Sequence, residues 1–591
     1  MTSSPGKVPP QSLHRADIVL AAGLLAVLLA ATLYWHDKNT DFQTGDSTIL
    51  MCLAMQVGDA LHLYAQGGDP AIVTRYHPET ITWVRLPLGL YFSGAVTYLF
   101  GKNLYSLFAL LHLSLLLAAW YLFVLLRELS GPVGALYAVM TFFVTPSVLA
   151  ASRFYNLDLL LAGPFMVCCF QTWRLLQGRK LLRSLSLFLA CLVLGTSIKL
   201  IFFLLVAPFL LLLILHGRRR LLRSFLTVGA GLIAFVGVSL AFGLEDTVTA
   251  LYDMLFRNWL SLSGGILAEI YGSSIPFLVV FYPLYLLKGY TLVPLFFLVR
   301  SMTAVLRNPR WKEPSALFLF VWLLALVLLT MFGQKRSFYL LPLYSLGAIF
   351  LGLWLSERRL LLRVLVVITL SGNALALSFL EHPLRDLLEL RSRQDHAFQG
   401  YDRLVPPDPL MEKDFSMLKL EPRDRVRILY CPTFVQEASL EANLRLSFPE
   451  VFFNANQEVA VDRRYEDKVL VLVMEDQVQG LEECFTENGT TDLLLEYAEQ
   501  LQPLPGKEYL MSYLMLGVEV FPPVPPSQGS EDPSAPQQAQ EGVLGDDPGE
   551  MGSPTDDEPE RDGRVQEAEE PVGSHGPGQP PEEGPRSREH D

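Results

Sequence analysis

Five short stretches of this chain set ionisable residues between long apolar runs. They are His36-Asp37-Lys38-Asn39-Thr40-Asp41-Phe42-Gln43-Thr44-Gly45-Asp46-Ser47, His77-Pro78-Glu79, Ser152-Arg153-Phe154-Tyr155-Asn156-Leu157-Asp158, Gly195-Thr196-Ser197-Ile198-Lys199 and Gly333-Gln334-Lys335-Arg336-Ser337-Phe338-Tyr339. Together they supply acids, at least three cations and aromatic rings. Acids of this kind can deprotonate an attacking hydroxyl, and lysine or arginine can neutralise a departing phosphate. Each residue also has a plainer reading. Asp46 opens a helical pattern over Thr48–Tyr64, where a carboxylate caps free amides. His77-Pro78 suits an ordinary helix start. Arg153 and Asp158 could form an interfacial ion pair, Lys199 could snorkel, and Lys335 with Arg336 could anchor a helix end.

The elements that position these residues are the apolar runs themselves. Of 591 residues, 51% are hydrophobic, and many runs reach the ~17–25 residues needed to cross a bilayer. The expected spans are about 18–35, 104–126, 132–150, 157–173, 182–197, 199–215, 221–243, 274–300, 315–332, 338–355 and 360–380. The run 274–300 has a possible break at Lys288–Gly289, which gives eleven to thirteen spans. Lys/Arg clusters at Arg174–Arg183, Arg218–Arg223, Arg307–Lys312 and Arg358–Arg363 fill one set of gaps, and carboxylates with an occasional cation, at Asp37–Asp46, Arg153–Asp158, Lys199, Glu245–Glu269 and Lys335–Arg336, fill the other. All four clusters fall on the cytoplasmic side only if Leu86–Phe100 does not cross. Pro87, Gly89 and the short length suit a helix lying in the outer interface. The N-terminus is then inside, the C-terminus outside, and 36–103 form a long first outer loop. Ile18–Trp35 is longer than a signal-peptide core, and Asp17 ends the basic segment before it, so it reads as a retained span.

Beyond the spans, residues 381–522 alternate strand-like runs (Val426–Tyr430, Val469–Val473) with helical stretches (Phe434–Leu446, Thr491–Leu501), the pattern of a small α/β domain. Residues 523–591 are rich in Pro, Gly, Glu, Asp and Gln and are expected to be disordered. From Glu531 to Asp591 there are 18 acids and 4 arginines, which accounts for the whole formal charge of −14. The rest is balanced and holds no basic domain, which argues against a nucleic-acid partner. The six cysteines have no metal-ligand spacing. Cys431 and Cys484 would be able to pair in an oxidising compartment. No internal repeat is evident, which disfavours inverted-repeat transporters.

The order "TGDSTILMCLAMQ", "HPET", "SRFYNLDLLLAGP", "GTSIKLIFFLLVAP" and "GQKRSFYLLPLY" resembles the GT-C glycosyltransferases of the protein O-mannosyltransferase and aminoarabinose transferase type, over about residues 15–380. That resemblance implies a transmembrane helical bundle that moves a sugar, with inversion, from a polyprenyl-phosphate carrier to a glycan, lipid or protein acceptor on the outer side. It makes Asp46 the base, with Asp41 as the competing residue. The usual Asp-Glu pair of the family stands here as Asp46-Ser47, and its His-Pro-Pro as His77-Pro78-Glu79. Lys199, Lys335, Arg336 and Tyr339 match phosphate-proximal positions, while Arg153, Asp158 and His77 would position substrate. The polyprenyl-phosphate sugar is the co-substrate; no metal ligand set is expected, and a divalent-ion requirement stays open. The expected location is a bacterial inner membrane with the C-terminal domain extracytoplasmic. Two other functions are compatible with these residues: a transporter or flippase for lipid-linked saccharides, and an inactive relative serving as a scaffold.

Overall fold

A computed structural model describes residues 14–38, 46–65, 88–216 (except 154, 180 and 200), 289–331 (except 310), 337–379, 415–431, 444–454, 467–474, 502–504 and 511–517, with isolated positions at 229, 237, 282–283, 285–287 and 441. The helices are α1 Arg15–Lys38, α2 Asp46–Ala65, α3 Leu88–Phe100, α4 Leu104–Ser130, α5 Pro132–Phe143, α6 Pro146–Ala151, α7 Ala162–Leu176, α8 Leu181–Ile198, α9 Ile201–His216, α10 Leu292–Arg307, α11 Lys312–Met331, α12 Tyr344–Ser356 and α13 Leu360–Phe379. Short 3-10 turns, Leu157–Leu161 and Ser337–Leu343, lead into α7 and α12. The chain is mainly α, as its composition requires.

Among the described residues, five helical segments are long and apolar enough to cross a membrane: Arg15–Tyr34, Leu104–Ser130, Leu157–Leu176, Lys312–Thr330 and Tyr339–Ser356. Five shorter apolar helices accompany them, α3 among them. Nearly all of the expected span 221–243 and the first part of 274–300 lie outside the described residues, as does the acidic tail. At ~1.5 Å per residue, the 13 residues of α3 reach about 20 Å, short of the ~30 Å hydrocarbon core. Bulky apolar side chains stand exposed on α1, α4 and α13, such as Val19, Leu113, Trp120 and Leu365. In water such a surface would aggregate; in lipid it is the solvent-facing surface.

α12 forms the centre and is buried along its length. Its Gly352 meets Gly134 and Ala138 of α5 so closely that a Cβ there would overlap both. Small residues four apart on each helix let the backbones approach, which drives helix association where lipid offers no hydrophobic incentive.

Three sets of contacts tie one end of the bundle. Arg174 donates to Glu128 at 2.6 Å, joining the ends of α7 and α4. Tyr137 of α5 donates to buried Asp17 of α1 at 2.6 Å, with Arg363 of α13 at 3.8 Å from the same carboxylate. Glu357, after α12, accepts from Asn308 and from Trp311 at 2.7 Å. Since α4 runs into α5 and α12 into α13, all three lie at the same end. The described members of the basic clusters therefore share one end, and both 3-10 turns lie at the other.

Of the expected spans, 157–173 and 338–355 are continuous helical segments that open in 3-10 geometry, and 132–150 is interrupted. Pro146 starts a new helix after Thr145, and the stretches before Ala162 and Tyr344 tighten into 3-10 geometry. Proline supplies no amide, so Pro146, Pro164 and Pro342 stand at or near these breaks. The long run near 288 also breaks later than expected, at Thr291 (φ 63°), because Pro294 in the first turn of α10 has no amide to give the preceding helix.

The C-terminal part is a five-stranded sheet in the order β2-β1-β3-β5-β4, where β1 is Arg425–Cys431, β2 Phe452–Asn454, β3 Lys468–Met474, β4 Gln502–Leu504 and β5 Met511–Gly517. β1 pairs in parallel with β2 and β3; β5 runs antiparallel to β3 and β4. Val469 to Leu472 are buried on both faces, as befits the central strand. The possible Cys431–Cys484 pair lies outside the described residues.

Candidate active site at the helix ends

Asp158 sits in the 3-10 turn before α7, and its position is fixed locally. Asn156 accepts a hydrogen bond from the Asp158 amide at 2.8 Å through its side chain, an Asx cap that turns the chain into the bundle. Lys199 sits in the one-turn break between α8 and α9. Its ammonium donates to both Asp158 oxygens at 2.7 Å. Both residues are buried, at 3% and 6% exposure. The Lys199 ammonium also lies 4.8 Å from the ring centre of Tyr339, in the 3-10 turn before α12. Three helix breaks thus converge on one carboxylate, one cation and one aromatic face. A charge held at such depth is tolerated because it is paired and faces a ring quadrupole.

Arg153, two residues beyond α6, is 2% exposed. The carbonyl of its neighbour Ser152 lies 3.1 Å from His112 Nε2 of α4. Beside this contact an apolar cavity of about 730 Å³ opens between α1, α4, α5 and α6, with His112 and Ser152 among its few polar lining residues.

α3 covers the assembly. Gly89, near its start, lies against Leu157, Leu160 and Ile198, so that a Cβ there would touch all three at ordinary van der Waals distance. α3 is pinned to α2 by Gly58 and Gly94: a Cβ at Gly94 would overlap Val57, and one at Gly58 would overlap Thr97. Asp46 is the first residue of α2, as its sequence position suggests.

Of the nine expected site residues, the structure brings Asp158, Lys199 and Tyr339 together and buries Arg153 nearby in sequence. The side chain of Asp46, and all of Asp41, His77, Lys335 and Arg336, lie outside the described residues. The ordering Asn156 was not anticipated, although Asn two residues before an acid at a helix entry is a recognisable cap. Nor were Asp59, Lys102 and Arg445, which join α2 and the α3–α4 loop to the sheet domain. Asp59 did carry a signal: a carboxylate inside the apolar run "MCLAMQVGDALHLY" must find a partner. No group of three or more potential metal ligands occurs among the described residues.

The family model for dolichyl-phosphate-mannose-protein mannosyltransferase matches residues 77–242, the stretch containing Arg153, Asp158 and Lys199. No curated protein matches the chain. Among solved structures, ArnT from Cupriavidus metallidurans bound to undecaprenyl phosphate is similar over 83% of this chain and 98% of its own, with a TM-score of 0.54 at 14% identity. The apo form of the same protein is similar over 85% of this chain and 100% of its own, with a TM-score of 0.53 at 14% identity. Motif order, family model and backbone thus agree, and the chain is a multi-pass membrane protein with the GT-C glycosyltransferase fold.

Proposed function

We propose that this protein transfers a sugar from a polyprenyl-phosphate donor to a glycan, lipid or protein acceptor at the extracytoplasmic surface. The observation that carries this reading is the buried Asp158–Lys199–Tyr339 cluster, built from three helix breaks at the end of the bundle opposite the basic clusters. A transport path would set its charges near mid-membrane; these stand at helix ends, where a lipid-linked phosphate lies. The solved relative with undecaprenyl phosphate bound supports a polyprenyl carrier.

In this mechanism Asp46 accepts the proton of the acceptor hydroxyl, or Asp41 does so in its place. The hydroxyl oxygen forms a bond to the anomeric carbon with inversion. The bond from that carbon to the phosphate oxygen breaks, and its electron pair leaves on polyprenyl phosphate. Lys199, Lys335 and Arg336 stabilise that charge. Asp158 holds the Lys199 ammonium in place, so no reorganisation is needed when charge develops. Arg153, His77 and Tyr339 shape the donor and acceptor sites. The sugar is a hexose or pentose, and the C-terminal domain faces the outside of a bacterial inner membrane.

Mass spectrometry of polyprenyl-phosphate sugars and surface glycans tests this reading in cells with and without the protein. Loss of the protein should leave one lipid-phosphate sugar in excess and one glycan modification missing. Unchanged profiles in both pools would refute the reading.

A further inference from the structure

Asp59 lies on α2, thirteen residues beyond Asp46, and is 5% exposed. One of its oxygens accepts from Lys102, in the loop between α3 and α4, at 2.7 Å. The other accepts from Arg445 of the C-terminal domain at 2.6 Å. Arg445 is fully buried; it also donates to Glu441 at 2.7 Å and to the Phe453 carbonyl of β2. Lys102 donates to the Val451 carbonyl at 2.7 Å, and Gln56 of α2 donates to Glu441 at 2.8 Å. His62, one turn beyond Asp59, packs its ring 5.5 Å from that of Phe452. Two acids and two cations from three distant segments thus close a neutral, water-excluded cluster. Burial alone would weaken the Arg445 charge, but Glu441 and Asp59 outweigh it and hold the guanidinium well above its usual range.

A buried network of this kind contributes little net stability over a well-packed apolar contact, yet it enforces one geometry because any lost partner strands a charge. The geometry enforced here is that of α2, which is clasped between α3 on its Gly58 face and the sheet domain on its Asp59 face. The distance along α2 from Asp59 to Asp46 is about 20 Å at 1.5 Å per residue. Over that lever a tilt of about 3° moves Asp46 by about 1 Å, and a displacement of that size can cost on the order of 10²-fold in rate.

We propose that the C-terminal α/β domain is a fixed part of the catalytic platform, and that Asp59, Arg445 and Lys102 are positioning residues that aim α2 and so place Asp46. The functional half of this inference rests on the reading of Asp46 as the base; the mechanical half does not. The test therefore uses the full-length chain in lipid nanodiscs and a readout that needs no substrate. Asp46→Cys serves as a reporter, alkylated by a membrane-impermeant maleimide, in otherwise unaltered chain and with Arg445→Gln or Arg445→Lys added. Hydrogen exchange of 46–65, 162–176 and 344–356 is followed in the same Arg445 variants.

Arg445→Gln is expected to change the labelling rate of the reporter thiol at least threefold and to raise exchange in 46–65 about tenfold. Exchange in 162–176 and 344–356 should stay unchanged, and Arg445→Lys, which keeps the charge, should recover part of the effect. Unchanged labelling and exchange in 46–65 would overturn the proposal, and so would a uniform rise across all three segments, which is general unfolding. Arg425→Ala, which removes an exposed pair of the same sheet, is the control and should alter neither readout. Undecaprenyl phosphate binding by the unaltered chain, measured alongside, bears on the donor reading alone: its absence would undo that reading while the α2 readouts still decide the positioning.

Discussion

At the scale of single residues, the weight falls on Lys199 and Asp158. Their pairing makes two roles separable. Replacing Lys199 by Met strands a buried carboxylate, a loss that costs about 3–5 kcal/mol when one partner of a buried pair is removed. Adding Asp158→Asn removes the stranded charge. We expect the double variant to recover most of the thermal stability lost by Lys199→Met while donor use stays impaired, since the phosphate has lost its cation. Thermal melts and donor saturation curves on the two variants check this. Recovery of both properties together would assign the pair a purely structural role. The exposed Arg425–Asp467 pair is a useful contrast. The Arg425 hydrogen bond and charge hold the Asp467 carboxyl below the usual carboxylate range. Its contribution to stability is therefore present above the unfolded value near ~3.9 and is lost as pH falls through the lower folded value. Being exposed and screened, it should be small: melts of Arg425→Ala should fall slightly below those of the unaltered protein at neutral pH and converge on them at the acid end.

At the scale of elements, the crossing of α2 and α3 ties these two helices to the candidate site. A Cβ at Gly94 would overlap Val57 and crowd the Ala54 carbonyl. Gly94→Leu should therefore push α3 off α2 at a cost of about 1–3 kcal/mol from overpacking. Because Gly89 of the same helix rests on the 3-10 turn that carries Asp158, activity should fall further than stability does. Comparing turnover with melting temperature checks this; equal, small losses would show that α3 does not govern the site. Several elements were readable in the sequence. The strands expected at Val426–Tyr430 and Val469–Val473 are β1 and β3 with one residue added at each end. Their β-branched runs between polar punctuation leave little choice. The helix breaks were less legible. Hydropathy counts carbon, and carbon continues through Pro146, Pro164 and Pro342, whereas the hydrogen-bond ladder does not. The site stands at those breaks, so reading apolar length alone passes over its construction. The Lys199–Asp158 pair joins residues 41 apart, and Arg445–Asp59 joins residues 386 apart. Such contacts follow from helix packing and domain docking, which no local pattern encodes.

At the scale of the whole molecule, charge sorts the two ends of the bundle. Arg174, Arg179 and Arg363 share one end with their carboxylate partners, while Asp158 and Lys199 share the other with the Lys102 loop. In the topology proposed above, the positive-inside bias directs the basic end to the cytoplasm. Gln177→Cys, at the exposed end of α7, should react with an impermeant thiol reagent only from the cytoplasmic side, and Ser530→Cys only from the outside. Labelling of both from one side would invalidate the topology and, with it, the placement of the site.

The central claim is sugar transfer driven by an outer-loop carboxylate. Its most direct test is a transfer assay with the purified chain in nanodiscs, supplied with the polyprenyl-phosphate sugar that accumulates in cells lacking the protein and scored for polyprenyl phosphate released. A positioned general base contributes about 10²–10⁴-fold. The account predicts that Asp46→Asn lowers release by that factor while the protein stays folded and still binds the lipid. Loss of release with Asp41→Asn instead would move the base to that residue. Undiminished release in both variants, with donor and acceptor present, would contradict the account.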